Sequence, residues 1–135
     1  MSDVLSAAVA KLKATAGVSA LVAARIAVDT APPSWALPMV LLSRVSTVPV
    51  NQLTGNPSDF QSRLQVDAYA TTRVAAGSLA DAIAAALREW RDLVGTPNIH
   101  SAKELLRHDF TELDEDGTGE PVAYRTSIDF SVWHA

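Results

Sequence analysis

The stretch Tyr124–Ala135, YRTSIDFSVWHA, decides the fold. Together with the two residues before it, it sorts into two rows. Val122, Tyr124, Thr126, Ile128, Phe130 and Val132 fall in one, and Ala123, Arg125, Ser127, Asp129, Ser131 and Trp133 in the other. A period of two belongs to an extended strand, whose successive side chains point to opposite faces. Here one face is apolar and the other polar, so the strand covers a core on one side only. A flat apolar strand left at a sheet edge would template aggregation, so this one is expected inside a sheet, paired along both sides.

Working outward, Asn98–Leu113, NIHSAKELLRHDFTEL, reads as a strand that bends or bulges near its middle, because the adjacent Leu105 and Leu106 spoil the alternation. The acidic LDEDGTGEP, Leu113–Pro121, makes the hairpin connection between the two. In Phe60–Ala70, FQSRLQVDAYA, Phe60, Leu64, Val66 and Ala68 face one way and Arg63, Gln65, Asp67 and Tyr69 the other. Pro38–Thr47, PMVLLSRVST, is apolar and β-branched enough for a buried strand, meeting water from Ser43 and Arg44.

Helical spacing appears in two places. Val4, Leu5, Ala8, Val9 and Leu12 form one stripe, on a helix expected to end at Gly17. A second stripe, Leu79, Ile83, Leu87, Trp90 and Val94, predicts a long helix capped by Thr71 or Thr72 and ended by Gly95-Thr96-Pro97. Between these, APPSWALP breaks regular structure with three prolines. The reading is an α+β fold: a mainly antiparallel β-sheet packed on one face by the long helix and the N-terminal helix. At 135 residues the expectation is a single domain, 1–135.

Composition narrows the function classes. Apolar residues at 48% and charged residues at 19% suit a folding chain. No apolar run approaches the roughly 20 residues that cross a bilayer, and MSDVLSAAVAKLKA lacks the pattern of a signal peptide, so cytoplasmic synthesis and no membrane partner are expected. Cysteine is absent, which removes disulfides, thiolate metal sites and a cysteine nucleophile. A net charge of −4 with scattered basic residues argues against a generic nucleic-acid binder.

The search for catalytic or metal chemistry finds little. Glu112, Asp114 and Asp116 before Gly117 imitate the start of a calcium loop, but Ala123 stands where a bidentate glutamate is needed. His100 and His108 lie too far apart along a strand to share a zinc ion, although His134 could approach either. There is no nucleophile elbow around Ser78 and no phosphate-binding glycine loop, so neither catalysis, a metal nor a cofactor is expected. Trp90 reads as core, whereas Trp133, opposite Ile128 and Phe130, is either covered by a helix or offered to a neighbour. The twelve residues Val48–Asp59, VPVNQLTGNPSD, have no periodic place in the core. Candidate interface residues are therefore Val48, Val50, Asn51, Gln52 and Leu53 in that loop, with Trp133. The polar row Arg63, Gln65, Asp67, Arg125 and Asp129 joins them, either as a solvated face or as a subunit contact whose charges pair across a boundary.

Several blocks in order carry a resemblance: the Ala/Leu-rich leading helix, LVAARIAVDTAPPSWALPMVLLSRVS, RLQVDAYATT running into SLADAIAAAL, and YRTSIDFSVWHA. Together, from about Val4 to His134, they resemble the tail-completion or tail-terminator proteins of long-tailed bacteriophages and of related prophage and gene-transfer particles. The resemblance implies a non-enzymatic virion protein of the tail or neck, assembled in the host bacterial cytoplasm. It further implies a homo-oligomer, a six-fold ring that caps the head-proximal end of the tail tube. The implied partners are the tail-tube protein and a head-completion or connector protein, with DNA passing through the lumen without specific binding. The competing expectations are another neck or tail-tube protein, and a ligand-binding α+β domain with a concave polar pocket.

Overall fold

A computed structural model of the chain describes residues 4–32, 34–50, 59–88, 90–94, 97–113 and 121–135. Five strands form one sheet: β1 (Ile26–Val28), β2 (Met39–Pro49), β3 (Phe60–Ala70), β4 (Ile99–Leu113) and β5 (Pro121–His134), in the spatial order β1-β2-β3-β5-β4. Only β1 and β2 run parallel. Helices α1 (Val4–Ala14), α2 (Ala16–Val22) and α3 (Arg73–Leu87) cover one face. The α+β expectation holds, including the helix-backed, mainly antiparallel sheet.

The alternating strand β5 lies inside the sheet. It pairs with β3 from Phe60↔His134 to Ala70↔Tyr124, and on its other side with β4 from Ile99↔His134 to Leu113↔Pro121. Ile128, Phe130 and Val132 are buried beneath the helices with Leu64, Val66, Val40 and Leu42 from the neighbouring strands. Full burial of such a side chain is worth about 1.5–3 kcal/mol. The row therefore joins three strands and the helical layer into one core. Ala76, Ala80 and Ala84, one turn apart on α3, are fully buried. Their small side chains let the helix axis lie close to the sheet, while Leu79, Ile83 and Leu87 fill the space beside it.

Thr72 caps α3: its Oγ1 accepts the Ala75 N–H at 3.1 Å, satisfying one of the helix's orphan donors. Thr72→Ala is expected to lower stability by about 1 kcal/mol, read as a reduced urea midpoint at unchanged slope.

Several boundaries differ from the sequence reading, each for a local reason. The leading helix breaks at Thr15, not Gly17, and the chain bends 85° into α2. Thr15 Oγ1 donates to the Lys11 carbonyl at 2.8 Å, taking up a last-turn acceptor and closing α1 there. Helix α3 stops at Leu87, although Trp90 and Val94 continue its spacing. Asp92 and Ile99 exchange both backbone hydrogen bonds, which requires the chain to reverse between them and excludes a continuing helix. Trp90 still enters the core, 6% exposed, but Val94 is 97% exposed. Strand β2 runs on through Val48 and Pro49, which pair with Gln61 and Phe60, so these residues leave the expected loop. The predicted irregularity at Leu105–Leu106 is present as a register shift between Glu104 and Leu106.

Candidate assembly surface

The face of the sheet away from the helices has no second layer among the described residues. Period-two geometry puts Gln61, Arg63, Gln65, Asp67 and Tyr69 of β3 there, beside Arg125, Ser127, Asp129, Ser131 and Trp133 of β5. Val48 of β2, opposite Gln61, shares it, as do Leu106, His108 and Phe110 of β4, opposite Asp129, Ser127 and Arg125. Of the predicted interface residues, Val48, Arg63, Gln65, Asp67, Arg125, Asp129 and Trp133 thus come together on one surface. Val50 sits just past β2, its N–H donating to the Asp59 carbonyl. Asn51, Gln52 and Leu53 lie outside the described residues, as does the tested calcium-loop segment 114–120.

The four charges predicted for this face, Arg63, Asp67, Arg125 and Asp129, are matched within the chain. Arg63 donates to Asp129 at 2.6 Å. Asp67, only 8% exposed, accepts from the Ser127 hydroxyl and from Gln65 at 3.1 Å, with an Arg125 nitrogen 3.9 Å away. Arg125 Nε lies 3.1 Å from Glu112 Oε1, an ion contact without hydrogen-bond alignment. The Arg125 guanidinium also stands 4.3 Å from the Phe110 ring centre and 5.8 Å from that of Tyr69. One cation therefore ties β3, β5 and β4 together. Sequence reading missed Phe110 and Tyr69 as parts of this cluster, because cross-strand register, not local pattern, brings them to Arg125.

Burial, with the Asp67 carboxylate next in effect, pushes the Tyr69 hydroxyl above its ordinary value, and Arg125 offsets part of that. In the unfolded chain Tyr69 ionises near pH 10, so between there and the higher folded value only the unfolded state gives up the proton. Tyr69 thus supports the fold below about pH 10, and that support is lost as pH rises through the folded value. A phenolate titration of the folded protein is expected to show Tyr69 ionising late, and Tyr69→Phe to remove that late step.

Toward the hairpin, β4 runs as an outer strand past the cover of the helical layer; β3 still flanks β5 as far as Tyr124, so only the rungs Glu112↔Ala123 and Leu113↔Pro121 are two-stranded. Residues 105–111 of β4 are exposed on both faces, and β4 contributes only Ile99 and Ala102 to the core. The expected apolar face of β5 fails at Val122, which is 57% exposed, because α3 begins at Arg73 and leaves that end uncovered. Arginines secure this outer strand in place of apolar packing. Arg73 donates to the Phe110 carbonyl at 2.6 Å and the Arg125 carbonyl at 3.1 Å, and it faces Asp109 and the Tyr124 ring. Arg107 bonds Asp81 of α3 at 2.7 Å as well as Glu104, and both carboxylates hold its proton more tightly than usual. Arg88 reaches Glu104 at 3.2 Å.

The histidines do not converge. His100 lies 3.4 Å from Asp59, His108 packs on Phe110, and His134 is buried with its Nε2 2.7 Å from Ser62 Oγ. Ser62 and His134 imitate a nucleophile–base pair, yet they are 0% and 1% exposed, and Thr47 Oγ1 closes over Ser62 at 3.0 Å. No substrate atom can reach them there, so the pair acts as an internal polar bridge between strand ends. Among the described residues no three metal-ligand side chains gather. A depression of about 330 Å³ between α1 and the 90–99 segment has Lys11 and Asp92 as its charged walls and mostly apolar lining otherwise. Trp133, 42% exposed, is open to a neighbour and not covered by a helix.

The family model for Tail completion protein gp17 matches residues 6–135. Among solved structures, the chain is similar to one from "Virion of native gene transfer agent (GTA) particle", with a TM-score of 0.77 and 17% identity over 96% of this chain and 92% of that chain. At that identity the likeness shows the shared fold. No curated protein sequence matches.

Proposed function

Because the chain belongs to the tail completion protein gp17 family, we propose that it forms a closed six-fold ring on the head-proximal end of a bacteriophage tail tube. The family places it as a structural protein of the phage tail, a virion component. In the proposed role the ring ends tube polymerisation, joins the tail to the head connector, and passes DNA through its lumen without specific binding. The observation that carries this reading is the family match over residues 6–135. The geometry supports it in two ways. A long outer strand, β4, and a sheet face uncovered among the described residues are available for contact, while Arg63, Asp67, Arg125 and Asp129 on that face pair within the chain. A heterologous contact that closes on itself makes a ring and not a filament. We read the protein as non-enzymatic and as one domain.

The test is elongation of purified tail-tube protein in the presence of this chain. Tubes carrying a six-membered cap at one end, with growth halted there, are the expected result in electron micrographs. Unchanged tube growth, or co-polymerisation of this chain along the tube wall, would contradict the reading, the latter in favour of a tube subunit.

A further inference from the structure

The two edges of the sheet differ in length. Strand β1 forms one edge with 3 residues, whereas β4 forms the other with 15. Past the Asp92–Ile99 bridge, nothing among the described residues pairs with the outer side of β4. Its register to β5 is regular from Leu106 to Glu112, and this stretch contains no lysine, proline or glycine. Natural edges are blunted by such residues, by bulges or by shortness, because an open, regular strand templates pairing with another chain. The side chains add apolar surface: Leu106 and Phe110 are 43% and 41% exposed on the open face. Arg107 and Asp109 belong to the opposite face, where they meet Asp81 and Arg73 of α3.

We propose that this edge pairs with the same edge of a second copy, antiparallel, about a two-fold axis through His108. A strand bonded along one side turns its remaining N–H and C=O groups outward at alternate residues. Antiparallel self-pairing aligns these groups only when the axis passes through a residue and not between two. An axis at Arg107 sets Arg107 against itself, one at Asp109 sets Asp109 against itself, and one at Phe110 leaves both without an opposite charge. At His108 each Arg107 meets the other copy's Asp109, and each Leu106 meets the other copy's Phe110. The opposite charges select this register, and the apolar pairs gain from burial. Acids and bases then alternate across the boundary, from Asp81 through Arg107 to the other copy's Asp109 and Arg73. The contact goes beyond the ring reading, since a two-fold contact does not close a six-fold ring. It covers β4 in the chain that has not yet met a tail tube.

The absence of cysteine lets a single introduced thiol report the register. Directly opposed Cα atoms of antiparallel strands stand about 4.5–5.5 Å apart, within disulfide reach. His108→Cys chains are therefore expected to cross-link on oxidation roughly ten-fold faster than Thr111→Cys chains, whose thiols the same register sets about 20 Å apart. Sedimentation of the unaltered protein should show monomer and dimer exchanging with concentration. Leu106→Glu, which sets a carboxylate against the other copy's Phe110, should weaken that dimer roughly ten-fold with circular dichroism unchanged. In dilute, monomeric protein the edge amides exchange fast, and alternate amides of Leu106–Glu112 slow as the dimer forms. Cross-linking of Thr111→Cys as fast as that of His108→Cys overturns the proposal. A strict monomer at every concentration overturns it too, as does a dimer indifferent to Leu106→Glu. Protection of β4 that arises only on adding tail-tube protein assigns the edge to another chain and likewise overturns it. The ring stands or falls separately, on the capping of tubes.

Discussion

Phe130→Ala is expected to lower the unfolding free energy by about 3–5 kcal/mol, a large share of the 5–15 kcal/mol that holds a typical domain together. Phe130 is fully buried, paired with Leu64 on one side and Glu104 on the other, beneath the helical layer. Truncation leaves a cavity in the middle of the sheet, where strands on both sides restrict collapse, so the upper part of that range applies. Trp133→Ala provides the contrast. It lies three residues further along the same strand but is 42% exposed on the open face. Its loss should cost stability much less, about 1 kcal/mol or below, while weakening any contact made through that face. Urea unfolding of the two variants checks both numbers, and near-equal losses would mean that the assigned faces of β5 are wrong.

Arg125→Ala is expected to cost about 2–3 kcal/mol, below the full penalty for breaking a buried ion pair because the guanidinium retains some solvent contact. The loss has two parts. Asp67 keeps Ser127 and Gln65 but no longer has a cation nearby, and the Phe110 and Tyr69 rings lose the group between them. Arg125→Lys separates the parts, because an ammonium retains the charge without the planar stacking surface. It should recover only some of the stability. A double-mutant cycle with Phe110→Ala then measures the stacking share, expected near 1 kcal/mol. Additive effects in that cycle would show that Arg125 acts on Asp67 alone. Since Phe110 lies on β4, the coupling also reports how firmly the outer strand is held.

How much of this was legible in the sequence depends on whether local pattern or long-range pairing decides a feature. The interior position of β5 was readable because one side of a half-buried strand must be apolar and the other polar, and Thr126 to Val132 obey that rule. A cap at Thr71 or Thr72 was readable for the same local reason, and the structure assigns it to Thr72. The end of α3 was not. Trp90 and Val94 fit helical spacing, and only the backbone bridge between Asp92 and Ile99 shows that the chain has already turned. Trp90 then reaches the core from outside the helix, which the spacing alone cannot distinguish. On the open face, the residues Arg63, Gln65, Asp67, Arg125 and Asp129 were found by alternation. Their partners were set by register: Arg63 meets Asp129 and Arg125 meets Asp67 within one chain. The exposure of the outer half of β4 was not readable, because nothing local to Leu105 and Leu106 reveals that the helical layer leaves them uncovered.

The claim on which the rest depends is that β5 is hydrogen-bonded on both sides at the centre of the sheet, which leaves β4 and the open face to meet other molecules. Native-state hydrogen exchange of the backbone amides of Thr126–Val132 tests it most directly. An interior strand predicts that these amides exchange only through global unfolding, among the slowest in the protein, with the edge-strand residues Leu106–Glu112 exchanging much faster. Rapid exchange along Thr126–Val132, as for a frayed peripheral segment, would contradict the account.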